Sequence, residues 1–491
     1  MTLPLLARIR QIARSGDVLR AWRLFEDVGL LESRDSEALS LKGRLLKDRA
    51  LRSLGPDRSD LLDQAQEAYT RAAGGRRATY PLINAATIAL LNGKPDEAHG
   101  LARQVLELLE SGDHEPETRY WLGATAAEAK LLLGDARAAR LALEDAVKAA
   151  PQAWEDQAAT LRQFQQILEW TGAPFGLFDH LRPPASLYFS GIIGLPQDEA
   201  RVRAEIGAML DRVRPGVVFG ALAAGSDILI AEMAIAAGAR LHVVLPTAID
   251  AFREISVAHF GGDWAERFDR LLDDADVIDV LEGPGRLSGA AVHLAAQVAM
   301  GLAIRRSRVL ATEALAFHVG RAFDELSPPE VEWRRQGRML HELVLDESLP
   351  AHGAAFDPAV NRAVLAMPGP VPACCDLTFV TRQAAFEGFS LLQFDDPVAA
   401  MDQAGAILRV APESRLGLDY RPTCPEKSLI DIAEAAIVLA RSANEGSVCA
   451  HWPQIAVLEL LAPRYRFETA GEVVTPKGDF PIGLFCQDSA D

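Results

Sequence analysis

Residues 219–247 place the strongest constraint on the fold, because they contain a strand, a glycine-bearing turn, a helix and a second strand. The segment reads FGALAAGSDILIAEMAIAAGARLHVVLPT, and Gly220 and Gly225 let the backbone approach a ligand closely. A helix that begins near Ser226 and Asp227 directs its free N–H groups and its positive dipole end toward a phosphate-sized site. Parallel sheets bind ligands at the carboxyl ends of their strands. The segment therefore predicts an α/β domain with a nucleotide-type site.

Composition and charge limit the kinds of partner. The chain has 491 residues, 49% hydrophobic and 24% charged, which predicts about two to four domains with apolar cores. A net charge of -18 and an isoelectric point near 5.1 argue against binding to nucleic acid or to an anionic membrane. No run of about 18 uncharged apolar residues, the length that crosses a bilayer, is present. Residues 1–17 predict an amphipathic helix and not a leader, so we expect a cytoplasmic protein.

The cysteines all fall in the last quarter of the chain. None belongs to a CxxC pair or has a histidine at metal-ligand spacing. This pattern favours buried, reduced thiols over a zinc or redox site, so we expect no bound metal. The cysteines are Cys374, Cys375, Cys424, Cys449 and Cys486.

Residues 1–172 have a helical pattern, with apolar residues at three- and four-residue spacing and short Gly-Asp or Gly-Lys turns. In the clearest copy, YWLG at 120–123 begins one helix, and Ala138, Ala142 and Ala146 line the next. Small residues at these places let two helices approach closely. The segment resembles a tetratricopeptide solenoid of about four degenerate units. The resemblance implies a surface that binds a protein partner, and a helical platform with only a packing role is the alternative.

Proline residues interrupt the helical pattern after residue 172, and strands then alternate with helices. The alternation predicts a parallel sheet with right-handed crossovers over residues 185–325. The predicted strands are 186–190, 216–219, 240–245, 277–281 and 314–319. The predicted helices are 197–213, 227–237, 264–274 and 290–303.

Four strings in this region resemble a known superfamily. They are FSGIIG at 189–194, GALAAGSDILIAEMAIAAGARLHVVLP at 220–246, FREISV at 252–257 and WAERFDRLL at 264–272. They resemble the Rossmann-like SLOG superfamily, which includes the DNA-processing proteins and the lysine-decarboxylase-like cytokinin-activating enzymes. More narrowly, they are similar to the bacterial branch that fuses this domain to helical repeats and to a nucleotide-cyclase-like domain.

The resemblance implies a pocket for a nucleotide or a nucleotide-derived second messenger, with no required cofactor. Hydroxyl groups in the first two loops can donate hydrogen bonds to phosphate, and glycines leave room for it. Asp227 stands at a helix start, where it is either an N-cap or a ribose contact. Glu232 either faces the ligand or pairs with Arg203 or a similar base, because a buried unpaired carboxylate is costly. The implied ligand-binding residues are Ser190, Gly191, Gly220, Ala224, Gly225, Ser226, Asp227, Glu232 and Pro246.

Catalysis in this domain is not the favoured interpretation. The phosphoribohydrolases of the superfamily carry a Pro-Gly-Gly-x-Gly-Thr loop followed by a catalytic glutamate, and this chain contains no such string. Its nearest glycine cluster, at 282–285, lacks the threonine and the glutamate that follows it. We therefore expect binding without turnover and assign no catalytic residue.

Residues 330–491 resemble the second half of the class III adenylate/guanylate cyclase fold, an α+β domain of ferredoxin-like topology. The similarity rests on EGFSLLQFDDP at 387–397, a predicted helix at 399–408 and the closing hairpin FETAGEVVTPKGDFPIGLF at 467–485. A shared fold does not carry activity with it.

The positions that cyclase activity needs are altered. Cyclisation requires two carboxylates that hold divalent metal, because the 3′-oxygen must lose a proton while charge builds on the leaving pyrophosphate. The first position falls on Ala-Met-Pro at 366–368, and the second falls at or beside Glu387. The family's transition-state asparagine and arginine fall on Ala433 and Ile437, which cannot stabilise negative charge. We expect a degenerate cyclase-like domain used for docking or dimerisation, so a homodimer is compatible with the sequence.

The favoured interpretation is a multidomain, non-catalytic signalling protein. A helical-repeat domain at 1–172 precedes a Rossmann-like nucleotide-sensing domain at 185–325 and a degenerate cyclase-like domain at 330–491. The expected partners are a nucleotide-type small molecule and a protein bound through the repeats, with no nucleic acid and no membrane. One alternative is a nucleotide-processing hydrolase of the phosphoribohydrolase or glycosidase type, with Asp227 or Glu232 as acid/base. The other is a pure interaction scaffold with a vestigial ligand site.

Overall fold

The computed structural model describes residues 2–15, 18–74, 77–193, 199–281, 287–322, 325–345, 358–475 and 478–486. One compact unit ends at Pro183, and most of the chain from Pro184 onward forms a second. Some of the sequence predictions lie outside the described residues: Gly194, which ends the FSGIIG string, residues 197–198 of the predicted helix 197–213, the glycine cluster at 282–285, and residues 476–477 of the predicted hairpin.

The first unit is helical in its described residues, as the pattern of residues 1–172 predicts. Gly93 and Gly134 occupy the turns that the sequence indicated, with φ values of 73° and 83° that favour glycine. After the second turn, Asp135 accepts a hydrogen bond from the Ala138 N–H and caps the next helix. The helices are α1 Thr2–Ser15, α2 Val18–Asp27, α3 Ser36–Ala50, α4 Pro56–Ala73, α5 Thr79–Leu91, α6 Pro95–Ser111, α7 Arg119–Leu132, α8 Ala136–Ala149 and α9 Trp154–Thr171.

Consecutive helices from α3 to α8 pack against one another, as expected for helical repeats joined by short turns. Two glycines allow the closest approaches. A Cβ on Gly43 would lie 2.6 Å from the Tyr69 ring, and a Cβ on Gly123 would lie 2.8 Å from the Ala146 Cβ. The second contact is the one that the small residues of the YWLG copy predict.

The second unit begins with an all-parallel six-stranded sheet, which confirms the predicted alternation of strands and helices. The strands are β1 Ser186–Gly191, β2 Val217–Gly220, β3 Arg240–Leu245, β4 Val277–Val280, β5 Ala314–Arg321 and β6 Leu340–Leu345. The helices are α10 Glu199–Val213, α11 Ser226–Ala236, α12 Ile249–Ser256, α13 Trp264–Asp274, α14 Gly289–Leu310 and α15 Pro328–Arg335. Apolar side chains on the central strands, including Leu187, Val218 and Leu241, are fully buried in the core of this sheet.

The strand order is β4-β3-β2-β1-β5-β6. The chain therefore builds outward from β1 in one direction through β4, and then returns to place β5 on the other side of β1. The order reverses between β1 and β5, and the carboxyl edge at such a reversal is where open α/β sheets bind ligands.

The six-stranded sheet extends beyond the predicted boundary at 325–330. β6 pairs in parallel with β5 over residues 340–345, so α15 and β6 belong with this sheet and not with the region that follows. β6 alternates half-buried and exposed residues, a pattern of a sheet edge and not of a continuous apolar strand. The division between the two predicted domains beyond this sheet stays a prediction.

The rest of the second unit contains a seven-stranded mixed sheet of order β12-β13-β11-β10-β7-β9-β8. Its strands are β7 Val360–Pro368, β8 Arg382–Phe386, β9 Phe389–Phe394, β10 Arg415–Thr423, β11 Ser447–His451, β12 Glu468–Thr475 and β13 Gly478–Cys486. Its helices are α16 Pro397–Val410, α17 Leu429–Ile432, α18 Glu434–Ser442 and α19 Trp452–Leu461. β12 and β13 pair antiparallel, which confirms the hairpin predicted at the end of the chain.

Candidate functional site

The end of β1 lies beside the end of β5, at the reversal of strand order. In the parallel register of the two strands Ser190 is opposite His318, and Gly191 is opposite Val319. Since Ser190 is the residue of β1 that the sequence assigned to the first ligand loop, the structure puts that loop at the edge where a ligand is expected.

A serine, a histidine and a glutamate meet here. The Ser190 hydroxyl donates to Glu330 Oε1 at 2.7 Å and lies 2.9 Å from His318 Nδ1. The same histidine nitrogen is 2.9 Å from Glu330 Oε1. Gly320 leaves space for the imidazole, because a Cβ at that position would lie 2.9 Å from His318 Nε2. The three side chains join β1, β5 and α15.

Glu330 is held in place from its other oxygen. It is the third residue of α15, and its Oε2 accepts from the Ser327 N–H at 2.9 Å and from the Ser327 hydroxyl at 2.8 Å. This is a capping-box arrangement, which fixes the start of the helix. Glu330 is 2% exposed, and each of its carboxylate oxygens already accepts a hydrogen bond from the protein.

Charge at this place is shared between Glu330 and His318. Burial alone would raise the pKa of Glu330. The hydrogen bond and charge of His318, together with hydrogen bonds from the Ser190 and Ser327 hydroxyls, outweigh burial and lower this pKa to about 2. Burial likewise opposes a charged imidazole, yet the Glu330 carboxylate raises the pKa of His318 above its usual value. The geometry therefore favours an ionised pair.

Asp227 differs from these residues because one of its oxygens has no partner. Its side chain is 6% exposed, and Oδ2 accepts from the Ala223 N–H at 3.3 Å. Oδ1 is buried without a hydrogen-bond partner among the described residues. Burial raises the pKa of Asp227 to about 8, and the Ala223 and Gly191 N–H groups and the charge of His318 offset this only in part. At neutral pH the carboxyl is mostly protonated and can donate as well as accept a hydrogen bond.

Asp227 is not the N-cap of its helix, which was one of its two predicted roles. The cap position is Gly225, at φ 116° and ψ -128°, and Asp227 is the second residue of α11. Its carboxylate bonds a backbone N–H of the preceding turn instead. We refer to Ser190, Asp227, His318 and Glu330 together as the β1–β5 cluster.

The predicted loop glycines have packing roles. A Cβ on Gly191 would lie 2.0 Å from Ser226 Oγ, and a Cβ on Gly220 would lie 2.7 Å from the Phe189 carbonyl oxygen. Glycine at 191 allows close packing of β1 against α11, and glycine at 220 allows the close approach of β2 to β1. A role in close approach to a ligand stays a prediction for these two residues.

The loop after β1 covers the N-terminus of α11. Ser226 is fully buried, and both its N–H and its hydroxyl donate to the Ile192 carbonyl, at 3.3 and 2.9 Å. Ala224 is also fully buried, and its N–H donates to the Ser256 carbonyl at 2.9 Å. A phosphate contact by Ser226 therefore requires the Ile192 carbonyl to move away from the helix.

Glu232 pairs with basic residues, which was the second of its two predicted roles. Arg267 donates two hydrogen bonds to its carboxylate, at 2.8 and 2.6 Å, and Arg203 lies 3.8 Å away. These partners belong to α13 and α10, so the structure does not group Glu232 with the β1–β5 cluster. Pro246 is buried directly after β3, which the strand order separates from β1 by β2.

Sequence reasoning missed His318 and Glu330. Two signals could have found them. His318 lies near the carboxyl end of a correctly predicted strand, and the string Ser-Pro-Pro-Glu at 327–330 has the spacing of a capping box. Their meeting with Ser190 joins residues more than a hundred positions apart, which no local pattern reveals.

The positions compared with cyclases are packed or paired. Ala433 and Ile437 are buried in a small core beneath β7 and β9. Glu387 lies in the tight turn between β8 and β9, at φ 47°, and its carboxylate accepts a hydrogen bond from Arg441 at 3.2 Å. Neither Ala433 nor Ile437 carries a group that could stabilise a developing negative charge.

The cysteines correct one expectation. Cys449 is buried as predicted, but Cys374 is exposed and Cys375 is partly exposed. Both lie between β7 and β8, in a connection where prolines at 370 and 372 disfavour a helix or a sheet interior.

Two features are absent from the described part of the chain. It contains no group of three or more His, Cys, Asp or Glu side chains placed to hold a metal ion. Its helices also include none that is both long and apolar enough to cross a membrane.

Comparison with known proteins finds a match in the first part of the helical region. Residues 5–91 match the family model described as Tetratricopeptide Repeats-Sensor. Among solved structures, the chain is similar to a mutant of the Thermobaculum terrenum O-GlcNAc transferase, at 14% identity and a TM-score of 0.24. That alignment covers 72% of this chain and 60% of the other, and this TM-score is too low to compare the two folds. No curated protein matches the chain.

Proposed function

We propose that this chain is a non-catalytic regulatory protein. In this proposal a nucleotide or nucleotide-derived ligand binds at the β1–β5 cluster, and the helical repeats bind a partner protein. The match of residues 5–91 to tetratricopeptide-type repeats supports the second part, because such repeats commonly present protein-binding surfaces.

One observation carries the ligand part of the proposal. At the reversal of strand order, Asp227 presents a buried carboxyl oxygen without a partner, next to the ionised pair of His318 and Glu330. A buried polar atom without a partner is costly, and a ligand that supplies the missing hydrogen bond removes that cost. Nucleotides carry hydroxyl, amide and phosphate groups that can supply it.

The resemblance to the SLOG superfamily and to class III cyclases gives the proposal its finer form. The six-stranded sheet would be the nucleotide-sensing domain, and the seven-stranded sheet would be a degenerate cyclase-like domain. Burial of Ala433 and Ile437 supports the second assignment, since buried apolar side chains at those positions favour docking over catalysis.

The hydrolase alternative keeps one observation in its favour. A carboxyl with a pKa raised to about 8 suits a general acid, whereas Glu232 is committed to Arg267. Release of a free base from common nucleotides by the wild type, lost in Asp227→Asn, would establish this activity. Absence of release from every nucleotide tested supports binding without turnover.

The direct test of ligand binding is a thermal-shift screen with mono-, di- and cyclic nucleotides, paired with mass spectrometry of small molecules released on denaturation. We expect at least one nucleotide to raise the melting temperature in a concentration-dependent way. Substitution of Gly225, one of the predicted ligand-binding residues, does not test ligand binding cleanly. Gly225→Val would strain the backbone, because a β-branched residue cannot adopt φ 116° without strain. If no nucleotide shifts the melting temperature and none is released, the scaffold alternative replaces the proposal.

A further inference from the structure

Helix α9 does not continue the repeat array in the regular way. In the pairs α3/α4, α5/α6 and α7/α8, each helix packs mainly on its neighbours in sequence. A first helix of a fourth pair would pack mainly on α8. Instead α9 contacts α5 and α7 more extensively than α8, and its Gln163 reaches Lys47 on α3. We call the surface of α3, α5 and α7 that contacts α9 the inner face.

A row of polar side chains lies on the inner face, and the side-chain amide of Gln163 on α9 forms hydrogen bonds with two of them. The row has one member from each helix: Lys47 on α3, Thr87 on α5 and Glu128 on α7. Lys47 donates to Gln163 Oε1, and Gln163 Nε2 donates to Glu128 Oε1 at 3.0 Å. Thr87 donates to the same carboxylate oxygen at 2.5 Å. A glutamine fits because its amide offers both an acceptor for the lysine and a donor for the glutamate.

Apolar side chains of α9 fill the rest of the contact. Leu161, Phe164 and Leu168 follow the three- and four-residue spacing of one helix face and are buried in the same core as Ala86 and Ala124 of α5 and α7. Gln165 and Glu169 of the same helix are exposed. This is the way in which an amphipathic helix lies in a groove.

Docking of α9 has an electrostatic cost. Burial lowers the pKa of Lys47 and raises the pKa of Glu128, so covering the row disfavours the charged forms of both residues. Water would solvate both charges if α9 left. The polar row therefore makes the docking of α9 on the inner face less favourable in free energy than docking in an apolar groove of the same size.

We propose that the inner face is the partner-binding surface of the repeats and that α9 is its internal occupant. The partner is a protein that presents an amphipathic helix with the pattern of α9: apolar residues at the positions of Leu161, Phe164 and Leu168, and an amide at that of Gln163. It binds by displacing α9. This inference rests on the proposed partner-binding role of the repeats and is independent of the nucleotide site.

Hydrogen exchange of the full-length wild type gives the first test. We expect the amides of residues 154–171 to exchange through an opening that leaves α5 and α7 protected. Exchange of α9 in step with α5 and α7, as one cooperative unit, would overturn the proposal, because the occupant could not then leave an intact inner face.

Peptide binding gives the second test. A fluorescent peptide of residues 154–171 is titrated into full-length wild type, Phe164→Glu and Gln165→Glu, with the repeats' folding checked by exchange. Phe164 is fully buried and Gln165 is exposed, so the two variants add the same charge at neighbouring positions. We expect Phe164→Glu to bind the peptide at least about tenfold more tightly than the other two proteins.

Equal peptide affinity in all three proteins would overturn the proposal. If Phe164→Glu unfolds the repeats, Gln163→Ala replaces it, since that change removes only the link between Lys47 and Glu128. The nucleotide thermal shift of each variant is recorded in parallel. If the three proteins bind the peptide equally but a nucleotide still raises their melting temperature, this inference fails while the ligand proposal stands.

Discussion

At the scale of residues, Asp227 of α11 differs from the other members of the β1–β5 cluster. Ser190, His318 and Glu330 satisfy one another, and Ser327 completes the set. The Asp227 carboxyl is buried beside them with Oδ1 unpaired among the described residues. A group of this kind lowers stability in the free protein, and functional sites often retain such groups.

Asp227→Asn is expected to remove a pH dependence of stability. Burial raises the pKa of Asp227 from 3.8 to about 8 in the folded protein, so folding favours the protonated form. That contribution is fully present below about pH 4 and is lost as the pH rises toward 8, at no more than about 1.4 kcal/mol per pH unit. The melting temperature of the variant should therefore rise relative to the wild type between about pH 5 and about pH 8. A difference that does not change with pH would contradict this account of Asp227.

At the scale of elements, close helix contacts depend on particular glycines. Gly123 of α7 faces Ala146 of α8, where the neighbouring atom is a backbone-anchored Cβ that cannot rotate away. Gly100 of α6 is exposed, and a Cβ there would meet nothing within 4 Å. The two positions separate the packing role of glycine from its low helix propensity.

Gly123→Ala and Gly100→Ala should therefore change stability in opposite directions. The first forces α7 and α8 apart and is expected to lower the free energy of unfolding by about 1–3 kcal/mol. The second is expected to raise it by up to about 1 kcal/mol, because alanine favours the helix. Urea unfolding of the full chain measures both values. Stabilisation by Gly123→Ala would show that the helices are not in the close contact described.

At the scale of the whole molecule, the two sheets of the second unit are joined through helices. A Cβ on Gly301 of α14 would lie 1.7 Å from the Ala456 carbonyl of α19, so these helices are in backbone contact. Nearby, Glu459 is 1% exposed and accepts two hydrogen bonds from Arg308. Arg305 stacks on Trp452, with 3.8 Å between its guanidinium carbon and the ring centroid. Since α19 packs on β11 and β13 and also on α15, which carries Glu330, these helices connect the β1–β5 cluster with the seven-stranded sheet.

Glu459→Gln should weaken this junction. It removes the charge of the buried carboxylate that pairs with Arg308, whose side chain is 36% exposed, so the expected cost is about 1–3 kcal/mol. Glu445→Gln is the matched control, because Glu445 pairs with Arg415 at the surface, where the loss should be within about 1 kcal/mol. Melting of the two variants is compared by calorimetry. Equal effects would mean that the Glu459 pair does not hold the two sheets together.

The sequence predicted local elements better than their assembly. The strand at 240–245 and the helix at 264–274 have the same bounds in the structure, because apolar periodicity is a local signal. No strand was predicted at 340–345, because the pairing of β6 with β5 is non-local and an edge strand alternates weakly. Of the residues assigned to the ligand site, Ser190 bonds His318 and Glu330, whereas Glu232 pairs with Arg267, and ligand binding by any of them stays a prediction.

The central claim is that a nucleotide binds at the β1–β5 cluster, and calorimetric titration tests it most directly. The most stabilising nucleotide of the thermal-shift panel is titrated into the wild type, Asp227→Ala and Asp279→Ala, the last a carboxylate paired with His242 between β3 and β4. Loss of a buried hydrogen bond of about 1–3 kcal/mol predicts binding weaker by about 5- to 150-fold in Asp227→Ala, with Asp279→Ala unchanged. Equal affinity in all three proteins, or no binding by the wild type, would contradict the claim.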